Sequence, residues 1–320
     1  MASFDANGDD IQNPDGNGLT QLSAGLADAV AAVAPSLVAV KGHRRFAYSG
    51  VCWQPGVIVT ADYGLGRSDI LTLMLPDGNV VEAQVSGRDP ALDLAVIQLD
   101  YPELPLPNIS DGADLKVGHL VLAVGQSWES GMSASLGLVS NLGGPWRTSQ
   151  GRSIDRLIRP DVNLYPSLLG GPLVNTAGQV LGLNLNGPRN RVITLPASTL
   201  TGLVHTLLEK GSVSRGYLGL GLQPATLPAT LRQALGLDSP EGLLVVSLDP
   251  QGPAEQAGVL IGDLVLTVNH QPVSDLPGVY AQLETEGVGH PIALHLLRGG
   301  QPMDVTLTLG AQPQRRSRHG

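Results

Sequence analysis

The chain has little of what marks several common protein classes. Basic residues are outnumbered, 19 Lys and Arg against 28 Asp and Glu, for a formal charge of −9. That balance argues against nucleic acid as a partner. Aromatic residues make up only 3% and charged residues 15%. A single cysteine, Cys52, excludes an intramolecular disulfide. It sits in an apolar strand pattern and reads as a packed core thiol. No apolar run is long enough to span a membrane. The opening MASFDANGDD lacks a basic-then-apolar leader. Taken as a natural start, it predicts a cytoplasmic protein. What the chain has in excess is turn-forming residues, 41 Gly and 24 Pro, on a 42% apolar background. At 320 residues, with that composition, the expectation is a mainly β protein of more than one domain.

Residues 1–18 are Asp-, Asn- and Gly-rich and are expected to lack structure. From Leu19 a helical spacing runs through Leu22, Leu26, Val30 and Val33 to Pro35. Short apolar runs divided by Gly, Pro and Asp follow as far as the hairpin at Leu173–Leu185, the pattern of sandwiches or barrels. Leu200, Leu203, Val204, Leu207 and Leu208 then mark an amphipathic helix that ends near Gly211. Domain limits follow at 19–211 and 212–311, with a basic tail at 312–320.

Three stretches carry a resemblance. YPSLLGGPLV, Tyr165–Val174, resembles the Asn-Pro-Gly-Asn-Ser-Gly-Gly-Pro-Leu run of the HtrA (Deg) family of trypsin-like serine proteases. VIVTADYGLG, Val57–Gly66, resembles the family's Val-Thr-Asn-His run. GRDPALDLAVIQL, Gly87–Leu99, resembles its Gly-x-Asp-Pro-x-x-Asp-Leu-Ala-Leu run. The resemblance implies a double six-stranded β-barrel and places the catalytic triad on three residues. The base position is Tyr63, the orienting acid is Asp93 and the nucleophile position is Leu169. The oxyanion loop falls on Ser167 and Gly170, where relatives have Gly at the first position. A phenol titrates near ~10 and is a poor base at neutral pH, and an aliphatic side chain has no lone pair to donate. Ser167 lies two residues from the nucleophile position, roughly 6–7 Å along an extended chain, too far to replace it. Tyr63 and Leu169 are expected to lie close together and to fill part of the cleft.

The remainder resembles an HtrA-type PDZ domain. Tyr217, Leu218, Gly219 and Leu220 match the carboxylate loop, and Gly252-Pro253-Ala254 opens a short helix. In that resemblance a peptide lies along Leu220–Gln223, with Leu222 on the strand. Leu276, Val279 and Leu283 of a second helix line its first side-chain pocket. No cofactor and no metal site is implied. Three functions stay open. One is an inactive HtrA-like pseudoprotease that binds C-terminal or extended peptides. One is a serine endopeptidase that uses non-standard residues. The last is a structural subunit that co-assembles with an active relative, and the resemblance also implies a homotrimer.

Overall fold

The structure is a computed structural model that describes residues 14–42, 47–66, 68–100, 104–147, 153–187, 192–211, 216–235, 241–286 and 288–311. Residues 212–215, at the expected start of the second domain, and the tail at 312–320 lie outside the described residues. The chain divides into two compact units. The first comprises Met1–Gly144 and Arg156–Leu208, the second Pro145–Asp155 and Glu209–Gly320.

The first unit begins with a helix at Pro14–Val33. It starts ahead of Leu19, so residues 14–18 of the segment expected to lack structure are helical. The helix leads into two closed six-stranded barrels. The first barrel runs Leu37–Lys41, Ala47–Gln54, Val57–Ala61, Leu94–Gln98, Val80–Asp89 and Ile70–Met74 around its wall. Alternation along these strands sends Val38, Val40, Ile58, Leu71, Leu73 and Ile97 inward, where they form one cluster. Cys52 belongs to that cluster and is 1% exposed. The second barrel orders Leu157–Asp161, Val192–Pro196, Val180–Asn186, Pro172–Asn175, Leu120–Ser127 and Gly131–Gly143. Val121, Val139, Ile158, Leu173 and Leu181 fill it. A helix, Ala197–Lys210, closes the unit with Leu200, Val204 and Leu207 buried.

The second unit carries a sheet in the order Leu220–Thr226, Glu241–Leu248, Leu264–Val268, Pro291–Arg298 and Gln301–Thr308. Leu243, Val245, Val265, Ile292, Leu294 and Leu296 point into a core shared with Val279 and Leu283 of the Leu276–Glu286 helix. Asp263, 1% exposed, is held by the Arg298 guanidinium through both carboxylate oxygens at 2.8 Å. That bidentate pair satisfies a carboxylate which burial would otherwise penalise. It also holds the Asp263 carboxyl below the usual range. Leu220–Thr226 is an edge strand whose outer side no described strand covers. Pro224 lies within it, as edges permit because proline has no N–H to give to a ladder.

Candidate functional site

The first candidate site is built on a turn and a loop. Asp93 ends the connection before its strand with φ 56°, a left-handed conformation that Asp and Asn tolerate better than other side chains. From there it supports the 62–66 turn. Its carbonyl accepts the Asp62 N–H at 3.1 Å, and its Oδ1 accepts the Tyr63 N–H at 2.6 Å. Burial pushes the Asp93 carboxyl up to about 7, and the neighbouring Asp62 charge adds to this. Backbone N–H donors from Tyr63, Asp62 and Asn186 pull the other way without cancelling burial. Arg88 ties the turn down through an ion pair to Asp62 and through the carbonyls of Gly66 and Ser68. Burial still raises the Asp62 carboxyl above the usual range, against the pull of Arg88.

Tyr63 does not fill the cleft as expected. Its side chain is 80% exposed. The tyrosine that packs here is Tyr48, 8% exposed, whose ring lies so close to Gly64 that a Cβ there would sit 1.9 Å from it. The ring takes the inner side of the turn, and the residue next to Gly64 is left pointing to solvent.

The loop from Tyr165 to Gly171 packs against the Ala47–Gln54 and Leu120–Ser127 strands. Pro166–Leu168 forms a single 3-10 turn. Leu168 is fully buried and Leu169 half-buried. Gly170, at φ 74°, lets the chain pass where a Cβ would meet Ala61 N at 2.6 Å and Ser49 O at 2.4 Å. The nucleophile position is thereby seated against the strand that leads to the base position. Every N–H from Leu168 to Gly171 is already donated, to Tyr165, Pro166, Asn184 and Leu168 in turn. The Leu169 N–H, which the resemblance gives to an oxyanion, goes to the Pro166 carbonyl at 3.2 Å.

Ser49 fastens the loop, and the motifs did not single it out. Its N–H donates to Leu169 O at 2.9 Å and its Oγ to Ser167 O at 2.5 Å, while Gln126 N donates to its Oγ at 2.7 Å. Ser167 Oγ lies 3.2 Å from Ser133 Oγ. The described histidines lie elsewhere. His119 precedes the Leu120–Ser127 strand, His205 is in the closing helix, and His270, His290 and His295 are in the second unit. Among the described residues no imidazole stands beside Leu169, the position that the resemblance gives to the nucleophile. No group of His, Cys, Asp and Glu among the described residues could hold a metal ion.

The second candidate site lies in the second unit. Gly219, at φ 77°, faces Gly252 and Pro253 at a distance that a Cβ would reduce to 3.2 Å. The Leu218 carbonyl accepts from Ala254 N and the Gly219 carbonyl from Asp249 N, both at 2.9 Å. In a trans peptide the N–H points opposite to the C=O. The Gly219 and Leu220 N–H groups are therefore aimed away from those donors. No described residue accepts the Gly219 N–H. The Asp249-to-Gly219 bond also makes Leu220 and Leu248 a non-hydrogen-bonded pair, so the Leu220 N–H faces the open edge. Two such donors beside an edge strand are of the kind that can receive a carboxylate followed by an extended chain. Leu220 and Leu222 are half-buried against the core, and Leu276 is half-buried on the facing helix. Tyr217 is half-buried, and its Oη is enclosed without a hydrogen-bond partner. Val279 and Leu283, at 2% and 4% exposure, lie in the core and not on the groove surface. They fix the helix to the sheet. Tyr280, half-buried against the same core, is an addition the helical spacing did not bring out.

Comparison with known proteins agrees with both halves. Residues 48–183 match the trypsin-like peptidase domain and residues 216–309 the PDZ domain. A probable periplasmic serine endoprotease, DegP-like, from Halomonas elongata is 32% identical over 283 residues, 85% of this chain.

The chain belongs to the HtrA/DegP family.

A DegP-like relative from Pseudomonas putida is also 32% identical, over 267 residues. The chain spans 59% and 54% of these two relatives' lengths. Among solved structures, the HtrA-type protease AlgW with decapeptide aligns over 91% of this chain and 99% of its own, at TM-score 0.68 and 26% identity. The serine endoprotease from Yersinia pestis aligns over 90% and 98%, at TM-score 0.69 and 27% identity. The trypsin-like barrels and the PDZ domain of this HtrA chain are thus as the sequence resemblance implies. The cytoplasmic location is not. The DegP-like relatives are named as periplasmic proteins, and the opening residues were too slight a basis for a compartment.

Proposed function

We propose that this chain is a non-catalytic HtrA relative that holds the C-terminal or extended segments of other proteins in its PDZ groove. One observation carries the reading. The side chain at the nucleophile position, Leu169, is aliphatic, and the loop around it spends its N–H groups internally. The base position supports this, since Tyr63 projects into solvent. Each loss alone lowers an enzyme's rate by several orders of magnitude. The PDZ half supports the binding role through its aimed N–H pair and free edge, and a relative has been solved with a decapeptide.

The relatives' names back a second reading, an HtrA-like serine endoprotease that works with other residues, better than they back this one. The same names make the periplasm the proposed compartment. The two readings separate in one experiment on the full chain. A fluorophosphonate probe and unfolded casein are offered at pH 7.5. The expected result is no labelled serine and intact casein. Labelling of one serine, abolished by its replacement with alanine, decides for the endoprotease.

A further inference from the structure

We propose that Ser167 is a third lesion in this site. It holds the oxyanion loop closed by its backbone conformation, so that restoring the two missing side chains would not restore chemistry. The inference rests on the non-catalytic reading above and extends it from missing groups to a fixed loop.

The geometry leads to one bond. The Leu169 N–H is consumed by the Pro166 carbonyl. Turning over the peptide that joins Pro166 to Ser167 would remove that acceptor and free the Leu169 N–H. The same turn would swing the Ser167 N–H towards the position where an oxyanion would form. One motion would therefore supply both donors. A peptide turns over by rotating ψ of the first residue and φ of the second through about half a circle. Ser167 now sits in a right-handed 3-10 turn and is not among the residues with positive φ. The flip would drive its φ positive, where a Cβ clashes with the backbone and glycine does not.

Two further contacts hold the closed form. The Ser167 carbonyl accepts from Ser49 Oγ at 2.5 Å. It also rests on Gly125 so closely that a Cβ there would lie 2.1 Å from it. The Ser167 hydroxyl, 3.2 Å from Ser133 Oγ, anchors the side chain. The backbone argument and the hydroxyl argument predict different variants to succeed, so they can be told apart.

Three full-chain variants test the proposal with a fluorophosphonate probe. They are Tyr63→His with Leu169→Ser, the same pair with Ser167→Ala, and the same pair with Ser167→Gly. The expected result is that only the glycine variant labels, at least roughly tenfold faster than the other two. Equal labelling of the first and third variants overturns the proposal, and so does rapid labelling of the alanine variant. Labelling of the unmodified chain would instead defeat the non-catalytic reading. A second measurement needs no restored triad. In Ser167→Gly alone, hydrogen exchange at the Leu169 amide should quicken by about tenfold. An unchanged rate in a folded variant overturns the proposal.

Discussion

At the scale of single residues, Asp93 carries a burial-driven pH dependence, and in the proposed reading it is what remains of a triad whose other members are gone. An acid whose folded pKa lies above its unfolded value stabilises the fold fully at low pH. That contribution is lost as pH rises through the folded pKa. For Asp93 the window runs from about 4, its unfolded value, to about 7 in the folded chain. Asp93→Asn keeps an oxygen for the Tyr63 N–H and tolerates φ 56°. It should therefore match the native chain near pH 4 and exceed it above pH 7, by on the order of 4 kcal/mol. Urea unfolding between pH 4 and pH 8 measures the gap, and a gap that closes with rising pH would refute the assignment. An active triad would keep this carboxylate ionised beside an imidazolium. Here no cationic side chain among the described residues offsets its burial.

At the scale of elements, the receptor in the second unit predicts how long a ligand can usefully be. In the proposed reading Gly219 and Leu220 supply the donors for the terminal carboxylate, and Pro224 interrupts the edge four residues further on. Nested peptides ending in a free carboxylate should gain affinity up to about four residues and then level off. Amidation of the last residue should weaken binding by roughly tenfold or more. Calorimetry on the full chain reads both effects. Gly219→Ala should abolish binding and cost about 1 kcal/mol, because φ 77° strains any Cβ and the new methyl meets Gly252. Both barrels and the PDZ half were legible because glycine-bearing motifs with fixed spacing mark turns directly, such as those at Gly170 and Gly219. Tyr48 and Ser49 were not legible. They act across the fold on residues 64 and 167, and no local period encodes a partner so distant in sequence. Val279 and Leu283 were legible as an apolar helix stripe, but a stripe does not say which of its residues meet the core and which meet a ligand.

At the scale of the whole molecule, the charge of −9 and the backbone-only carboxylate receptor act together. Backbone donors carry no net charge, so salt screens nothing specific at the receptor itself. What salt does screen is repulsion between an acidic ligand and an acidic protein. Peptides with Asp or Glu upstream of the terminus should bind more weakly at 50 mM than at 500 mM salt, by a few-fold, while neutral peptides change little. Fluorescence anisotropy at the two salt levels checks this, and weaker binding of acidic peptides at high salt would point to a basic side chain in the groove. Pro224 has one more effect at this scale. A strand left open to receive guests is also open to its own kind, and a long uninterrupted border invites fibres and sheets grown from many copies. The ring of Pro224 shortens that border to the part a guest needs, which keeps hospitality from turning into self-association.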